Sequence, residues 1–315
     1  MSALLIDLGG TNIRFSLGNT PVIGFKCREY TSFFEAVEHY LSDTGEPLPE
    51  TLVMDIPGPV HVKQFRFDNN PWTFTIDEIK NRLGFKNIFI VNDFEAAALA
   101  VPHLKERDIY TAHQTTADTN SPIVVMGAGT GLGQALLVPE GTDWKVLGAE
   151  GGHSTLPATN QQERELISYA EKKFGHVSAE RFVSGQGLSF TYEALSAIQG
   201  IKNDSKKPEE ITILAKNGDK FALETYHQMF SFWGSVAGNV ALSCGAFGGV
   251  YLTGGMIRQD GVLDIFKTSP FVRSFQNKGR RFEYMHKIPI HVFTAHDTAF
   301  LGLKHILEKY IDRIL

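Results

Sequence analysis

Apolar residues along this chain fall into short runs with a period near two, interrupted by glycine, and into longer stretches with a period near 3.6. Ala3 to Leu17 reads ALLIDLGGTNIRFSL and Pro122 to Val138 reads PIVVMGAGTGLGQALLV. Each is a β-like run, a glycine-rich turn ending in Thr, and a second β-like run. The likeness suggests a structural duplication in which each half opens on a hairpin whose tip is built to receive something. Between them the pattern predicts a helix over Ser32 to Tyr40, a strand over Thr51 to Ile56, and a short helix over Ile76 to Leu83 stopped by Gly84. A buried strand from Asn87 to Val91 runs directly into a helix from Phe94 to Ala100. That is α/β order, with Pro102 and the polar stretch Thr115 to Ser121 as the expected domain boundary.

Further on, Gln161 to Phe174 reads as a helix closed by Gly175, Asn203 to Glu210 as a charged surface loop, and Gly249 to Thr253 as a strand. Leu303, Ile306, Leu307, Tyr310, Ile311 and Ile314 recur at helical spacing, so the last segment is an amphipathic helix with Asp297 or Thr298 as its cap.

Composition narrows the function classes. The chain has 315 residues and is 43% hydrophobic, enough for two moderate cores. Thirty basic against thirty-five acidic residues give a net charge of -5 without runs of one sign, so neither nucleic acid nor anionic lipid is an expected partner. Cys27 and Cys244 are far apart in sequence and form no zinc or disulfide pattern, which leaves two buried thiols in a reducing cytosol. Met1-Ser2-Ala3 leads straight into a strand with no export signal, and the greasiest stretch, Phe221 to Leu242, is interrupted by Glu224, His227, Gln228 and Asn239. It reads as a buried core helix, and the expectation is a cytoplasmic protein without a membrane role.

The glycines of Gly127-Ala-Gly-Thr-Gly-Leu-Gly133 do not form a dinucleotide fingerprint, because the chain continues as a strand rather than a helix, and no P-loop is present. What remains is a hairpin tip where absent side chains let backbone N–H groups and the Thr130 hydroxyl approach an anion. For one isolated tip, ordinary tight turns would explain the glycines; two such tips shift the balance toward phosphate binding. Asp7, just before Gly9-Gly10-Thr11, makes sense beside a phosphate only with a cation between them. Without a ligand it caps the turn.

Asn92-Asp93 stands at the carboxyl end of a strand, where α/β ligand sites form. Asp93 reads as a general base or, equally, as a helix N-cap. Glu150-Gly-Gly-His153 is a loop with room for a ligand, and alone it would be a turn carrying a surface charge. Glu180 alone would be a solvated helix charge.

Taken together and in order, LIDLGGTNIRFSL, the asparagine before the tryptophan of DNNPW, VNDFEAAALAV, GAGTGLG, GAEGGH, HVSAERFVSGQGL and GGVYLTGGM resemble the bacterial glucokinase family. The match covers nearly the whole chain, and the ordered set is highly specific. It implies a two-domain actin and hexokinase-like (ribonuclease H-like) α/β fold with a ligand cleft between the domains. Residues 1–103 with 298–315 would form the smaller domain and 104–297 the larger.

The resemblance also implies ATP-dependent phosphorylation of the glucose 6-hydroxyl with Asp93 as base, and Asn69, Asn92, Glu150, His153 and Glu180 holding the sugar. Gly9, Gly10, Thr11 and Asn12 would form the first phosphate turn, and Gly127, Gly129, Thr130 and Gly131 the second. Gly254-Gly255 would lie against the adenosine, and Asp7 would hold magnesium through water. A homodimer is compatible with it. The related repressor and sugar-kinase family carries a zinc-binding cysteine cluster, which this chain lacks between Cys27 and Cys244. Two rivals remain open: a kinase of another hexose or N-acetylhexosamine, and a non-catalytic regulator that senses sugar and ATP.

Overall fold

In the computed structural model, which describes residues 3–18, 20–67, 70–202 and 205–311, the chain divides into two compact units. One comprises Met1–Leu104 and Ala295–Leu315, the other Lys105–Thr294. In the first, β1 (Ala3–Leu8) and β2 (Asn12–Leu17) close as an antiparallel hairpin to which β3 (Ile23–Lys26) adds an edge. Helix α1 (Phe33–Thr44) returns the chain to β4 (Thr51–Ile56), parallel to β1. The hairpin β5 (Phe65–Phe67) and β6 (Asn70–Phe74) forms a separate small sheet; α2 (Ile76–Leu83) then leads to β7 (Asn87–Asn92), parallel to β4, and α3 (Asp93–Ala100). The helices begin where the sequence supplies side-chain acceptors. Ser32 caps α1, and Thr75 and Glu78 form a reciprocal capping box on α2.

The second unit opens with β8 (Ile109–His113), then β9 (Ile123–Ala128), β10 (Leu132–Glu140) and β11 (Asp143–Ala149). Helices α4 (Gln161–Phe174), α5 (Gly185–Ile198), α6 (Pro208–Lys216) and α7 (Lys220–Cys244) precede β12 (Gly249–Thr253). Three short helices, α8 (Val262–Thr268), α9 (Phe271–Gln276) and α10 (Phe282–His286), lead to β13 (Ile290–Phe293), and the chain re-enters the first unit as α11 (Ala299–Ile311). The core of the second unit gathers on α7, where Tyr226, Phe230, Trp233 and Ala237 are all fully buried. Among the described residues no helix is long and apolar enough to cross a membrane.

The duplication suggested by the two glycine hairpins is visible in the sheets. The first sheet runs β3-β2-β1-β4-β7; the second runs β11-β10-β9-β12-β13 and then adds β8. Each begins with two antiparallel pairings and continues with two parallel ones.

Three local expectations change. Residues 208–210 are helical, because Pro208 sits in the first turn of α6, where its missing N–H is no loss, and Glu209 and Glu210 complement the helix dipole. Gly127 is not in the turn but pairs with Gly133 inside the hairpin, so the tip itself is Gly129 to Gly131. Thr115 to Ser121 falls inside the second unit, since β8 precedes it and pairs with β13. Ile314, assigned to the apolar face of the last helix, lies outside the described residues.

Helix α11 covers one face of the first sheet: Phe300 and Leu303 are buried against Leu5, Val53 and Ala96. The approach to α3 is closest at Gly302, where an added Cβ would run into the Ala96 carbonyl. Gly302→Ala should therefore reverse the usual helix-interior gain of about 1 kcal/mol and destabilise by about 1–3 kcal/mol through overpacking. The urea midpoint, at unchanged slope, measures this. A variant as stable as the parent would mean that the two helices do not meet so closely.

Candidate active site

Three carboxylates gather at the carboxyl ends of adjacent parallel strands in the first unit. Asp7 and Asp55 are register partners on β1 and β4, and Asp93 follows the last residue of β7. Arg14, opposite Asp7 across the hairpin, donates from Nη1 to Asp7 Oδ2 at 2.6 Å and lies 3.6 Å from Asp297 Oδ1. Asp297 is the one described non-glycine residue with positive φ, at 57°, a conformation Asp tolerates at modest cost. Asp55 is completely buried and its oxygens accept no hydrogen bond; the group it meets is the Asp7 carboxylate, to which a protonated Asp55 can donate. Burial first, then the neighbouring Asp7 and Asp93, push its carboxyl well above the ordinary range.

Asp93 is half-buried at the first position of α3. Burial pushes its carboxyl up to about 7 against the opposing hydrogen bond from the Phe94 N–H, and Asp7 adds to the rise. The capping role open to Asp93 is taken by its neighbour. Asn92 Oδ1 accepts from Phe94 N–H at 2.9 Å and Glu95 closes the capping box, while Asn92 Nδ2 donates to the Gly58 carbonyl at 3.1 Å. Asp93 also accepts from Phe94 N–H, at 3.0 Å, but the helix start does not depend on it. Asn69 lies outside the described residues; nearby Asn70 is buried and caps the Trp72 N–H at 3.0 Å.

Both glycine turns are tight. The Gly9 N–H donates to the Asn12 carbonyl at 2.9 Å, and the Gly129 N–H to the Gly131 carbonyl at 2.8 Å. Thr11 and Thr130 are exposed on their tips, while Gly10 joins Gly9 to Thr11. Asn12 Oδ1 accepts from Lys26 Nζ at 2.8 Å, which holds a cation beside the first tip. In the second unit, the tip touches two further elements: the Gly129 carbonyl accepts from Gly185 N–H at the start of α5, and Met256 N–H donates to the Ala128 carbonyl. Gly254, with φ of 101°, leaves no room for a Cβ against Ala128, and Gly255 beside it is exposed.

The second unit also brings the other acidic loops together around the start of β10. Glu180 Oε2 accepts from Leu132 N–H at 2.9 Å, and its carboxylate occupies the space a side chain at Gly131 would need. Gly151 packs on Gln134 and Gly152 on the Leu132 carbonyl, each too close for a Cβ. Within this loop, residues Gly151–His153 make one turn of 3-10 helix, a geometry that three residues can adopt where a full α-turn cannot. Glu150 and His153 are exposed, with His153 Nε2 3.9 Å from Glu150 Oε2. Ala179 N–H donates to the Ser154 carbonyl at 2.9 Å, joining the Glu150 and Glu180 loops.

A glucokinase family profile matches residues 4–310. A glucokinase of Neisseria meningitidis is 37% identical over 317 aligned residues, covering 99% of this chain and 96% of the relative. The chain belongs to the glucokinase family. The crystal structure of a glucokinase from an Antarctic psychrotroph is similar with a TM-score of 0.88 at 31% identity, covering 98% of this chain and 99% of that one. A more distant structure shares the fold alone: the ROK family glucokinase of Streptomyces griseus in complex with glucose and AMPPNP, with a TM-score of 0.63 at 15% identity over 97% and 99% of the two chains. The hexokinase and actin-like α/β fold is thereby established.

Magnesium, implied by the glucokinase family, fits at Asp7 only in hydrated form. Among the described residues no three His, Cys, Asp or Glu side chains converge to hold a bare ion. Asp7 has one oxygen on Arg14 and stands just before the first glycine turn, which suits a cation that keeps its waters rather than one held by several carboxylates. Sequence reasoning missed Asp55, Arg14 and Lys26. The available signal was register: an acid in an otherwise apolar strand, TLVMDI, level with Asp7 and an arginine facing it across the turn.

The raised Asp93 pKa is also a stability statement. From its unfolded value near 3.8 to about 7 the folded state holds the proton that the unfolded chain has released, so stability falls as pH rises through that window. Asp93→Asn removes the penalty. Its stability relative to the parent should climb between pH 4 and pH 8, by at most about 4 kcal/mol if the whole span from 3.8 to about 7 is realised. Paired denaturant titrations across pH measure the difference; a pH-independent one would show an ordinary Asp93.

Proposed function

We propose that this chain transfers the terminal phosphoryl group of ATP to the 6-hydroxyl of glucose, with Asp93 as general base. The observation that carries the reading is the environment of Asp93: a carboxylate at a strand's carboxyl end, relieved of capping by Asn92, with burial pushing it up to about 7. A base tuned near neutrality accepts the hydroxyl proton as the oxygen attacks and releases it afterwards. Family membership over residues 4–310 supports the substrate, and the glucose and AMPPNP bound to the Streptomyces griseus protein support the donor.

Phosphoryl transfer asks the protein mainly for position and charge. In this reading Glu150, His153 and Glu180 hold sugar hydroxyls, Asn69 and Asn92 contribute from the first unit, and the tips at Gly9 to Asn12 and Gly129 to Gly131 receive phosphates. Glu180 has its second oxygen available for a hydroxyl while the first holds Leu132. Gly254 and Gly255 form the floor for the adenosine. Asp7 holds hydrated magnesium, which supplies charge neutralisation on the phosphate oxygens.

Glucose should have the highest kcat/KM when a panel of hexoses is tested by ADP release. A higher value for N-acetylmannosamine or fructose would reassign the acceptor, and no turnover with any sugar would favour a non-catalytic sensor. Asp93→Asn keeps the shape and can still accept the Phe94 N–H, so it should fold normally while kcat drops roughly 10²–10⁴-fold and glucose KM stays nearly constant. For the parent, kcat/KM should decline as pH falls through about 7, where Asp93 takes up its proton. Near-normal turnover in the Asn variant would remove Asp93 from the chemistry.

A further inference from the structure

Strand alternation puts Asp7 and Asp55 on the same face of the first sheet as Leu5 and Val53, the face that α11 covers. Arg14, Gly24, Asn12 and Lys26 share it, because Arg14 pairs with both Asp7 and Gly24, and Asn12 pairs with Lys26 two residues nearer the glycine turn. A Cβ added at Gly24 would meet Arg14 Cγ at 3.6 Å, as a shared face requires. The two cations in these rows differ. Arg14 is taken by Asp7 and Asp297. Lys26 forms no ion pair among the described residues, and Asn12 Oδ1 engages only one of its ammonium donors.

The backbone holds Lys26 in place as well. The Cys27 N–H donates to the Thr11 carbonyl at 2.9 Å and the Cys27 thiol to the Gly9 carbonyl at 3.6 Å, so the end of β3 is bonded to both arms of the turn. The N–H groups of Gly10 and Thr11, between those arms, donate to nothing among the described residues, and neither residue is buried. Two free N–H groups beside an ammonium without a counter-charge make a donor set for an oxyanion. A lysine on an edge strand can serve simply to discourage pairing with another chain, but that role asks for no bond to the turn.

We propose that Lys26 binds the terminal phosphoryl group of ATP at the first glycine turn, with Asn12 as its positioning residue, an assignment that rests on the function proposed above. Charge selects the phosphate. The terminal group is the most highly charged of the three, and the second turn has the Glu180 carboxylate packed against Gly131, which disfavours it there. Asp93, the base in that function, belongs to the same unit as the first turn. The Lys26 ammonium then neutralises charge on the oxygens of the phosphoryl group as it passes to the acceptor.

Calorimetric titration of the full chain without sugar compares the magnesium complexes of AMPPNP, which carries the terminal phosphate, and ADP, which lacks it. Lys26→Gln can still donate to Asn12 but has no charge. It should weaken AMPPNP binding by roughly tenfold or more and ADP binding by less than about threefold. Lys26→Arg restores the charge and should stay within about threefold of the parent for both nucleotides. Lys26 is exposed, and retained ADP binding shows that the variants are folded. Unchanged AMPPNP affinity in Lys26→Gln, an equal loss for the two nucleotides, or a loss in Lys26→Arg as large as in Lys26→Gln would each overturn the proposal and leave the function proposed above in place. A parent chain that binds neither nucleotide would overturn both.

Discussion

Like charges in a low-dielectric site cannot all remain ionised without a counter-charge, and the first unit is arranged around that constraint. Asp7, Asp55 and Asp93 occupy the ends of three neighbouring strands, with Arg14 as the cation beside them. Arg14 sits opposite Asp7 only because the glycine turn is short enough to place the two in register. The remaining negative charge is managed by protonation: burial and the neighbouring Asp7 raise the Asp55 carboxyl, and burial brings Asp93 up to about 7. A site of this kind is unfavourable without a counter-charge, which in the function proposed above a hydrated cation and the phosphates beside it would supply.

The two sheets make the specialisation visible. They share an order and a sequence of pairings, yet the matched positions carry different chemistry. Asp7 and Asp55 pair on β1 and β4; Gly127 and Thr253 pair at the corresponding place on β9 and β12. One sheet end is loaded with carboxylates, and the other is stripped of bulk so that backbone can approach backbone, as Gly254 does with Ala128. A common architecture thus supports acid chemistry at one sheet and close packing of glycine turns at the other.

Much of this was legible in the sequence. Strands and helices bounded by strong signals, such as Thr51–Ile56, Ile76–Leu83 with Gly84, and Gln161–Phe174 with Gly175, begin and end where the pattern places them. The charged segment at Pro208 misled because its charges and proline resemble a loop until the first-turn position of the proline is recognised. Asp93 was legible as a candidate, but its competition with Asn92 for the cap was not, since one-residue differences in a helix start are decided by side-chain geometry. Asp55 and Arg14 were hidden for a different reason: their meaning comes from strand pairing between segments remote in sequence, which periodicity along one strand does not report.

The return of α11 to the first unit has a consequence for the order of events during synthesis. Residues Lys105–Thr294 form a contiguous unit, whose whole sequence is available before the last helix has been made. The first unit is different, because Leu5 and Val53 on its sheet are covered by Phe300 and Leu303. On a ribosome, that apolar face stays open until α11 has been made. Strands β1 and β4 thus finish folding later than the unit that follows them in sequence.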